Sequence, residues 1–231
     1  MRKSAIAVFV KTPSLSPIKT RLASSIGRKA AEEFYLLSVA ALKSTIESLT
    51  SANNNITPIW AVAENEGLSH SLWEGWETIS QGEGDLGTKL HNVFRKLILE
   101  FESVVIIGSD SPQLTANNLE CAFRSLENTK VPERPTIVIG PCEDGGFYLV
   151  GSSGQLPEDL WMEIRYSTEL AGRDLAEAAL RLGDVINLPV EIDVDTSSDL
   201  AAIKKLLEMR SSAPKTNRSL LDWLNSKVRF S

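Results

Sequence analysis

Short runs of apolar residues recur along the chain and predict the strands of a buried sheet. The first run is AIAVFV at residues 5–10, and four β-branched residues, VVII, stand at residues 104–107. β-Branched side chains pack well on a pleated surface, and an unbroken apolar run indicates a strand that is covered on both faces. Further strands are predicted at TPIWAVA, ETIS, TIVIGP and GGFYLVG.

Longer segments with apolar residues at three- and four-residue spacing predict helices between these strands. One helix is expected from Arg28 to Leu49, one in GDLGTKLHNVFRKLILEF, and one that begins near Thr115. STELAGRDLAEAALRLG and TSSDLAAIKKLLEMR supply two more. The alternation predicts an α/β fold with a mainly parallel sheet, whose ligands bind where the carboxyl ends of the strands converge.

Composition narrows the class of protein. The chain has 231 residues, 42% of them hydrophobic, and we predict one domain over residues 1–210. The tail, 211–231, contains RSLLDWLNSKV, which forms either a capping helix, the interpretation we favour, or a partner-binding helix.

The two cysteines are too few for a disulfide scaffold and lack the paired spacing of a zinc site. No apolar run is long enough for a membrane span or a signal peptide, so we expect a cytoplasmic protein. A formal charge of −6 argues against broad nucleic-acid binding.

The loop after the first strand, KTPSLSPIKTR, carries a cluster of cationic side chains. Lys11, Lys19 and Arg21 fall within it, together with the hydroxyl of Thr20. Lysine and arginine make strong charge-assisted hydrogen bonds to phosphate oxygens, and arginine can bind them bidentately. The loop therefore predicts a phosphate-bearing ligand. The alternative is a solvated basic loop that binds nothing.

Asp110 follows the apolar run at 104–107, in the stretch VVIIGSDSPQL. The strand thus delivers a carboxylate at its end, followed closely by Pro112. Magnesium takes one or two protein carboxylates and completes its shell with phosphate oxygens and water, so we predict that Asp110 binds a divalent metal. The alternative is an Asx-turn, in which the carboxylate bonds the backbone beside it.

A second acidic pair lies in EIDVDTSSDL. Asp193 and Asp195 fall on the same side of an extended segment, because side chains alternate along it with a period of two. They are candidates for the second metal carboxylate. Asp195 or Thr196 is equally suited to cap the helix that begins there.

GPCEDGGFYLVG places Asp144, Gly145 and Gly146 between two predicted strands. Glycine lets a ligand approach the backbone closely. We predict that this segment contacts a substrate that accepts a transferred group, and that Asp144 orients this acceptor or acts as its base. The alternative is an ordinary hairpin turn stabilised by Asp144. A thiol nucleophile at Cys142 is disfavoured, because the two histidines of the chain have no local connection to it.

The stretch QGEGDLG at residues 81–87 matches the dinucleotide-binding fingerprint G-x-G-x-x-G, and the next predicted strand ends in an aspartate. Two features oppose an NAD-binding dehydrogenase. The preceding strand is short and polar, and Glu83 and Asp85 put negative charge where a pyrophosphate would meet the helix. We prefer a nucleotide-binding loop of another kind that includes Gly84 and Asp85, with Gln81 reading a base edge.

Six motifs in this order resemble a known family: FVKTPSLSPIKTRLA, QGEGDLGTKL, IIGSDSPQL, GPCEDGGFYLVG, YST and DVDTSSDL. The chain resembles a bacterial family of small GT-A-fold transferases known as arsenosugar-biosynthesis or selenodomain-associated glycosyltransferases. That family is related in fold to the nucleotidyltransferases of molybdenum and deazaflavin cofactor synthesis. The resemblance runs from Val8 to Leu200. It implies a GT-A nucleotide-diphospho-sugar transferase-like three-layer sandwich with a mainly parallel central sheet.

The resemblance also implies roles for individual residues. The family's K…KTR element is matched by Lys11, Lys19, Thr20 and Arg21, and its metal element by Asp110. Its DGG element is matched by Asp144 to Gly146, and its DxDT element by Asp193 and Asp195. The chain departs from the family's pattern at other places. The usual glycine of the first loop is Ser16, the usual arginine after GDLG is Lys89, and the usual tryptophan before ST is Tyr166.

From these features we predict a metal-dependent glycosyltransferase that moves a sugar from a nucleotide-diphospho-sugar to a small acceptor, with Mg²⁺ or Mn²⁺ as cofactor. Asp110 would hold the metal on the donor diphosphate, while Lys19 and Arg21 would offset charge on the leaving group. The main alternative is a nucleotidyltransferase that joins a nucleoside triphosphate to a phosphate-bearing small molecule. A catalytically silent nucleotide-binding protein and an NAD-binding dehydrogenase are further alternatives.

Overall fold

A computed structural model describes residues 3–127, 134–209 and 215–227 of the chain. Its strands are β1 (Ser4–Val10), β2 (Ile56–Val62), β3 (Glu77–Ser80), β4 (Ser103–Ile107), β5 (Thr136–Pro141), β6 (Phe147–Ser152) and β7 (Asp184–Asn187). They form one seven-stranded sheet in the order β3-β2-β1-β4-β6-β5-β7. Strand β6 runs antiparallel to β4 and β5, and every other pairing is parallel. The predicted α/β class with a mainly parallel sheet is confirmed.

The helices are α1 (Thr20–Ile26), α2 (Arg28–Ala52), α3 (Leu86–Leu97), α4 (Ala116–Glu127), α5 (Glu158–Met162), α6 (Ala171–Leu180), α7 (Ser197–Met209) and α8 (Lys215–Lys227). Two short 3₁₀ turns follow β2, at Asn65–Gly67 and Ser71–Trp73. None of the helices in the described ranges combines the length and hydropathy that a bilayer crossing requires.

The sheet separates two apolar layers, because neighbouring side chains of a strand point to opposite faces. In β1, Ile6 and Val8 pack with α2 and α4, while Ala5 and Ala7 pack with α3, α5 and α6. A third cluster joins α1, α2, α7 and α8 beside the sandwich. The result is a helix–sheet–helix sandwich whose strand ends are held rigidly.

The structure differs from the predicted elements after the first loop and before α6. Helix α1 was not expected, because its few residues follow a proline-containing loop. Gly27, with φ 86°, then separates it from α2, a conformation that glycine adopts without steric cost. The helix predicted to begin at Ser167 begins at Ala171 instead, and Ser167 itself has a left-handed backbone with φ 60°.

Helix α8 lies in the predicted tail, and its Leu220 and Leu224 are buried in the cluster that contains Phe34. Trp223 adds a hydrogen bond from its indole N–H to Glu33, at 3.0 Å. These contacts favour the capping helix over a partner-binding helix. Residues 211–214 and 228–231 of the tail lie outside the described ranges, and the division into a domain over 1–210 and a tail stays a prediction.

Candidate functional site

A cavity of about 840 Å³ opens at the edge of the sheet where the parallel strands have their carboxyl ends. Residues from the loop after β1, the end of β4, the β5–β6 turn and the segment before α6 line it. Most of the predicted site residues line this cavity: Lys11, Lys19, Thr20, Arg21, Gln81, Asp110, Asp144, Gly146, Asp193 and Asp195. Gly84, Asp85 and Gly145 do not line it.

Lys19 is the most deeply placed cation of the cavity. It has a left-handed backbone, φ 45° and ψ 53°, immediately before α1. Its side chain is only 3% exposed, and its ammonium lies 2.9 Å from the carboxylate of Asp110 and donates a hydrogen bond to the carbonyl of Val194. The alternative of a solvated basic loop is therefore wrong for Lys19, although Lys11 and Arg21 are exposed.

Asp110 shares this environment with Asp193. Burial raises the pKa of Asp193 to about 7, the negative charge of Asp110 adds to the shift, and the Lys19 ammonium opposes it. Burial alone would lower the pKa of Lys19, but the surrounding carboxylates outweigh it and raise that pKa. Two carboxylates and one buried ammonium thus form a compact charged cluster at the end of β4.

The predicted alternative for Asp110, a local Asx-turn, does not describe its contacts. Its carboxylate is bound by Lys19 and approached by the Ser109 hydroxyl at 3.5 Å. Within the described ranges no hydrogen bond joins that carboxylate to the backbone beside it. Its own carbonyl instead accepts the N–H of Val194, at 3.1 Å, which ties the loop after β4 to the segment that carries Asp193.

A buried hydrogen-bond network holds that segment in place. Gln113, fully buried, donates from its amide nitrogen to the Ile192 carbonyl at 2.7 Å and to the Glu191 carboxylate at 3.1 Å. The Ser111 hydroxyl donates to the same Ile192 carbonyl. Asn118 in α4 donates to the other carboxylate oxygen of Glu191. Sequence reasoning missed Gln113 and Glu191, since their 78-residue separation leaves no local pattern.

Asp195 faces Arg21 at 2.8 Å, and both side chains are partly exposed, 33% and 64% respectively. Among the described residues, the Asp195 carboxylate bonds to Arg21 and not to α7, whereas Thr196 stands immediately before the helix, in the N-cap position. The carboxylate of Asp199, in the first turn of the helix, accepts the backbone N–H groups of both residues, at 2.9 and 2.7 Å. Asp195 therefore remains available to act with Arg21 at the rim of the cavity.

The glycine-rich loop before α3 differs from the expectation. Asp85 is the N-cap of α3, and its carboxylate accepts the N–H and the hydroxyl of Thr88 at 2.9 and 2.8 Å. This carboxylate occupies the position at which a pyrophosphate would meet the helix. Neither Asp85 nor Gly84 faces the cavity, so their predicted contact with nucleotide is not supported by their placement.

The position of the glycine motif in the sheet also opposes a dinucleotide-binding role. In a dinucleotide-binding β-α-β unit the motif joins two strands that lie side by side. Here the motif leads from β3 into α3, and β4, which follows α3, is separated from β3 by β2 and β1. The glycine motif is therefore not placed as it is in an NAD-binding unit.

Gln81 is buried at the end of β3, above the neighbouring strands. Its amide nitrogen donates to the carbonyls of Ala61, at 2.8 Å, and Val10, at 3.3 Å. Both donor hydrogens are thereby used by the backbone. Only the side-chain carbonyl of Gln81 remains to contact a ligand, which narrows its predicted base-reading role to accepting a hydrogen bond.

The segment with Asp144 forms the turn between β5 and β6, as its alternative reading predicted. One carboxylate oxygen of Asp144 accepts the N–H of Gly146 at 2.9 Å. Gly145, with φ 85°, packs so tightly that a Cβ would lie 2.0 Å from the Glu169 carbonyl oxygen. Gly145 therefore serves the turn, whereas Asp144 and Gly146 line the cavity.

Tyr35 fastens the loop that carries the cations. Its hydroxyl accepts the N–H of Lys11 and donates to the Lys11 carbonyl, both at 2.8 Å. Burial raises the pKa of this phenol, so it stays protonated as the donor.

A nucleophilic role for the thiol of Cys142 is disfavoured, because burial raises the pKa of that thiol and suppresses the nucleophilic thiolate.

The carboxylate pair can be compared with what a divalent cation requires. In the described part of the chain no group of three or more His, Cys, Asp or Glu side chains is arranged to hold a metal by itself. Asp110 and Asp193 match the one or two protein carboxylates that magnesium takes when phosphate oxygens and water complete its shell. Gly108 stands beside them, and a Cβ there would meet nothing within 4 Å. This donor set fits a cation that arrives with a phosphate ligand.

Comparison with solved structures confirms the predicted fold class. A candidate nucleotide-diphospho-sugar transferase from Desulfovibrio desulfuricans G20 is 24% identical, with a TM-score of 0.77 over 98% of this chain and 99% of that one. A cytidylyltransferase from Leptospira borgpetersenii is 11% identical, with a TM-score of 0.55 over 100% and 99% of the two chains. CMP:2-keto-3-deoxy-manno-octonic acid synthetase, in complex with CTP, is 10% identical, with a TM-score of 0.51 over 90% and 99%.

At the level of sequence, no curated protein matches the chain. A family model does match residues 45–168, a range that contains Gln81, Asp110 and Asp144 and spans more than half of the 231 residues. The chain therefore belongs to the bacterial family DUF2064, described as an uncharacterized protein conserved in bacteria.

Proposed function

We propose that this protein is a metal-dependent transferase that moves a sugar from a nucleotide-diphospho-sugar to a small acceptor. The observation that carries the proposal is the cluster of Lys19, Asp110 and Asp193 at the carboxyl edge of a mainly parallel sheet. Such an edge is where α/β sheets bind their ligands. The resemblance to arsenosugar-biosynthesis and selenodomain-associated glycosyltransferases favours a sugar as the transferred group.

The phosphates of the donor would lie against the loop after β1. Lys11, Thr20 and Arg21 line the cavity with exposed side chains, and the Lys19 side chain is buried beneath them. Charge-assisted hydrogen bonds from such cations grow stronger as negative charge develops on a departing diphosphate. These side chains would thereby stabilise the leaving group.

Asp110 and Asp193 would hold Mg²⁺ or Mn²⁺ against the donor phosphates. When bound, the cation would neutralise phosphate charge and favour departure of the nucleoside diphosphate. Lys19 supplies the positive charge between these carboxylates in the ligand-free protein, where it is 2.9 Å from Asp110. When the donor and its metal bind, the Lys19 ammonium would turn partly from Asp110 and donate a hydrogen bond to a phosphate oxygen.

Asp144 would contact the acceptor, since it lines the cavity and only one of its oxygens has a described turn bond, to Gly146. In the transfer step the acceptor oxygen bonds to the anomeric carbon, and the bond from that carbon to the phosphate oxygen breaks. The Asp144 carboxylate would accept the acceptor's proton, and the nucleoside diphosphate would leave with the electron pair.

Nucleotidyl transfer is the second candidate, and the number of cations around the first loop favours it. A nucleoside triphosphate carries more charge than a diphosphate sugar, and Lys11, Lys19 and Arg21 would match it well. Two of the structural relatives are a cytidylyltransferase and a synthetase solved with CTP. In this reaction a phosphate-bearing acceptor would attack the α-phosphate and release pyrophosphate.

A thermal-shift panel separates these candidates. The protein is heated with nucleoside triphosphates, nucleotide sugars, nucleoside diphosphates or NAD, each with Mg²⁺, Mn²⁺ or chelator. Ligands that bind only the native state raise its melting temperature. Glycosyl transfer predicts metal-dependent stabilisation by a nucleotide sugar beyond that of its free diphosphate, whereas stabilisation by triphosphates alone favours nucleotidyl transfer. Stabilisation by NAD without metal contradicts both candidate functions. The absence of stabilisation by any nucleotide in the panel contradicts them as well.

A further inference from the structure

We infer that the part of the cavity beside β6 is an acceptor subsite that selects a molecule with a flat apolar body and one anionic group. This inference rests on the proposed function, which places the donor at the loop after β1. Four side chains form its wall, which we call the apolar wall: Leu86, Leu90, Phe147 and Tyr166.

Phe147 of the apolar wall lies away from the base-reading end of the cavity, whereas Leu86 and Leu90 are on α3, which follows Gln81 in the chain. Gln81 bonds to backbone carbonyls of β1 and β2, whereas Phe147 begins β6. In the sheet order, β4 stands between β1 and β6. Neighbouring strands are spaced by about 4.8 Å, so roughly 10 Å of sheet edge separates the two ends. A donor read at Gln81 leaves the end beside β6 for the second substrate.

Two contacts hold the wall together. The Tyr166 and Phe147 rings lie 6.4 Å apart at 58°, a tilted aromatic pair. The first turn of α3 lies against Tyr166, because a Cβ on Gly87 would be 3.0 Å from the tyrosine ring. Leu86, in the same turn, is 44% exposed, and Leu90 one turn later is buried. The wall is therefore preformed, and it leaves apolar surface open to a ligand.

Exposed apolar surface in a concave site is characteristic of ligand binding, where a few polar groups set the orientation. A flat ring system would cover this surface and the aromatic pair together.

Lys89 supplies the charge that the ligand must complement. It stands on α3 between the two leucines of the wall, lines the cavity, and has no salt bridge in the described part of the chain. Two carboxylates, Asp144 and Glu169, line the cavity at the β5–β6 turn, where they would repel an anion. An anionic substituent is thus directed to Lys89. The Tyr166 hydroxyl, buried without a hydrogen-bond partner in those ranges, adds a donor beside the wall.

The test uses 8-anilinonaphthalene-1-sulfonate, a fluorescent probe with a flat apolar body and one sulfonate. We expect one saturable site on the wild-type protein. Leu86→Ser and Lys89→Gln should each raise the dissociation constant at least about fivefold, which is ~1 kcal/mol. The matched controls are Leu180→Ser, at a leucine 61% exposed outside the cavity, and Lys205→Gln, at an exposed lysine. Both should leave it within about twofold.

Three results would overturn the inference: no saturable binding, equal effects of cavity and control variants, or displacement of the probe by a nucleotide with Mg²⁺. The last result would assign the apolar wall to the donor. Leu86 is exposed in the first helical turn, so Leu86→Ser is expected to fold, and Lys89→Gln gives an independent readout. Failure of every nucleotide in the thermal-shift panel would instead contradict the proposed function and leave the probe result standing.

Discussion

At the scale of single residues, the charge of the site is set by a few side chains that sequence position alone does not bring together. Lys19 is buried beside Asp110, although the sequence presents it as one basic residue of a polar loop. The position of Asp110 at the end of a core strand was predictable, and Asp193 was predicted to join it as a second metal carboxylate. The backbone hydrogen bond from Val194 that ties the two segments together was not predicted, because it joins positions far apart in sequence.

Tyr166 carries a buried hydroxyl with no described partner, whereas the buried Tyr148 hydroxyl donates to the Pro189 carbonyl at 3.2 Å. Tyr166→Phe should leave the free energy of unfolding unchanged or raise it by up to ~1 kcal/mol, because no hydrogen bond is lost. Tyr148→Phe, the matched control, should lower it by about 1 kcal/mol. Urea denaturation measures both. Equal destabilisation by the two variants would contradict this assignment.

Gly108 lines the cavity, and a Cβ there would meet nothing within 4 Å. Because no positive φ requires glycine at this position, Gly108→Ala should leave the melting temperature of the ligand-free protein unchanged. The added methyl would instead occupy space that we assign to the phosphate and its metal. We expect nucleotide binding with Mg²⁺ to weaken about tenfold, ~1.4 kcal/mol, in a titration calorimeter. Undiminished binding would show that the ligand does not approach this backbone.

At the scale of elements, six of the seven strands and the long helices were predicted, most of them from a strong apolar pattern. Strand β7 was not predicted, because its four residues are mostly exposed and two of them are polar. Helix α1 was not, because it is only Thr20–Ile26 and ends at Gly27. Thr196, one of the two residues predicted to cap α7, holds the N-cap position of that helix. Asp199, in the first turn, accepts the N–H groups of Thr196 and Asp195, as the acidic residue of a capping box does, and the sequence prediction did not include this contact.

The β5–β6 turn illustrates how packing decides the cost of a substitution. Gly145 and Gly27 both have positive φ, 85° and 86°, but a Cβ on Gly145 would lie 2.0 Å from the Glu169 carbonyl oxygen and one on Gly27 would meet nothing within 4 Å. Gly27→Ala should cost about 1–3 kcal/mol from backbone strain alone. Gly145→Ala should cost roughly a further 1–3 kcal/mol from overpacking. Chemical denaturation measures the difference, and equal costs would mean that the turn and the segment before α6 are not in contact.

At the scale of the whole molecule, the fold places the loop after β1, the end of β4 and the Asp193 segment around one cavity. The α/β class followed from the alternation of strands and helices. The antiparallel β5–β6 hairpin was one of the two predicted interpretations of the DGG segment. The pairing of β6 with β4 and the edge position of β3 depend on non-local contacts, which the local pattern does not encode. The edge position of β3 also keeps the glycine motif out of the place that it has in a dinucleotide-binding unit, and β4 lies between β1 and the strand β6 that carries Phe147 of the apolar wall.

The central claim is that Asp110 holds a divalent cation on the phosphates of a nucleotide donor. Asp110→Asn keeps the shape of the side chain and removes its charge. Asp184→Asn, at an exposed aspartate on the edge strand β7, is the matched control. Circular dichroism melts first establish that both variants are folded, since Asp110→Asn also deprives the buried Lys19 of its partner.

The decisive measurement is calorimetric titration of the wild-type protein and both variants with the nucleotide that stabilises the wild type most, in the presence of Mn²⁺ and in the presence of chelator. We predict that Mn²⁺ strengthens nucleotide binding to the wild type and to Asp184→Asn. Asp110→Asn should lose this metal-dependent gain, with affinity at least about 10–100-fold weaker. If folded Asp110→Asn keeps the full gain from Mn²⁺, the metal is not held at Asp110 and the account of the site is wrong.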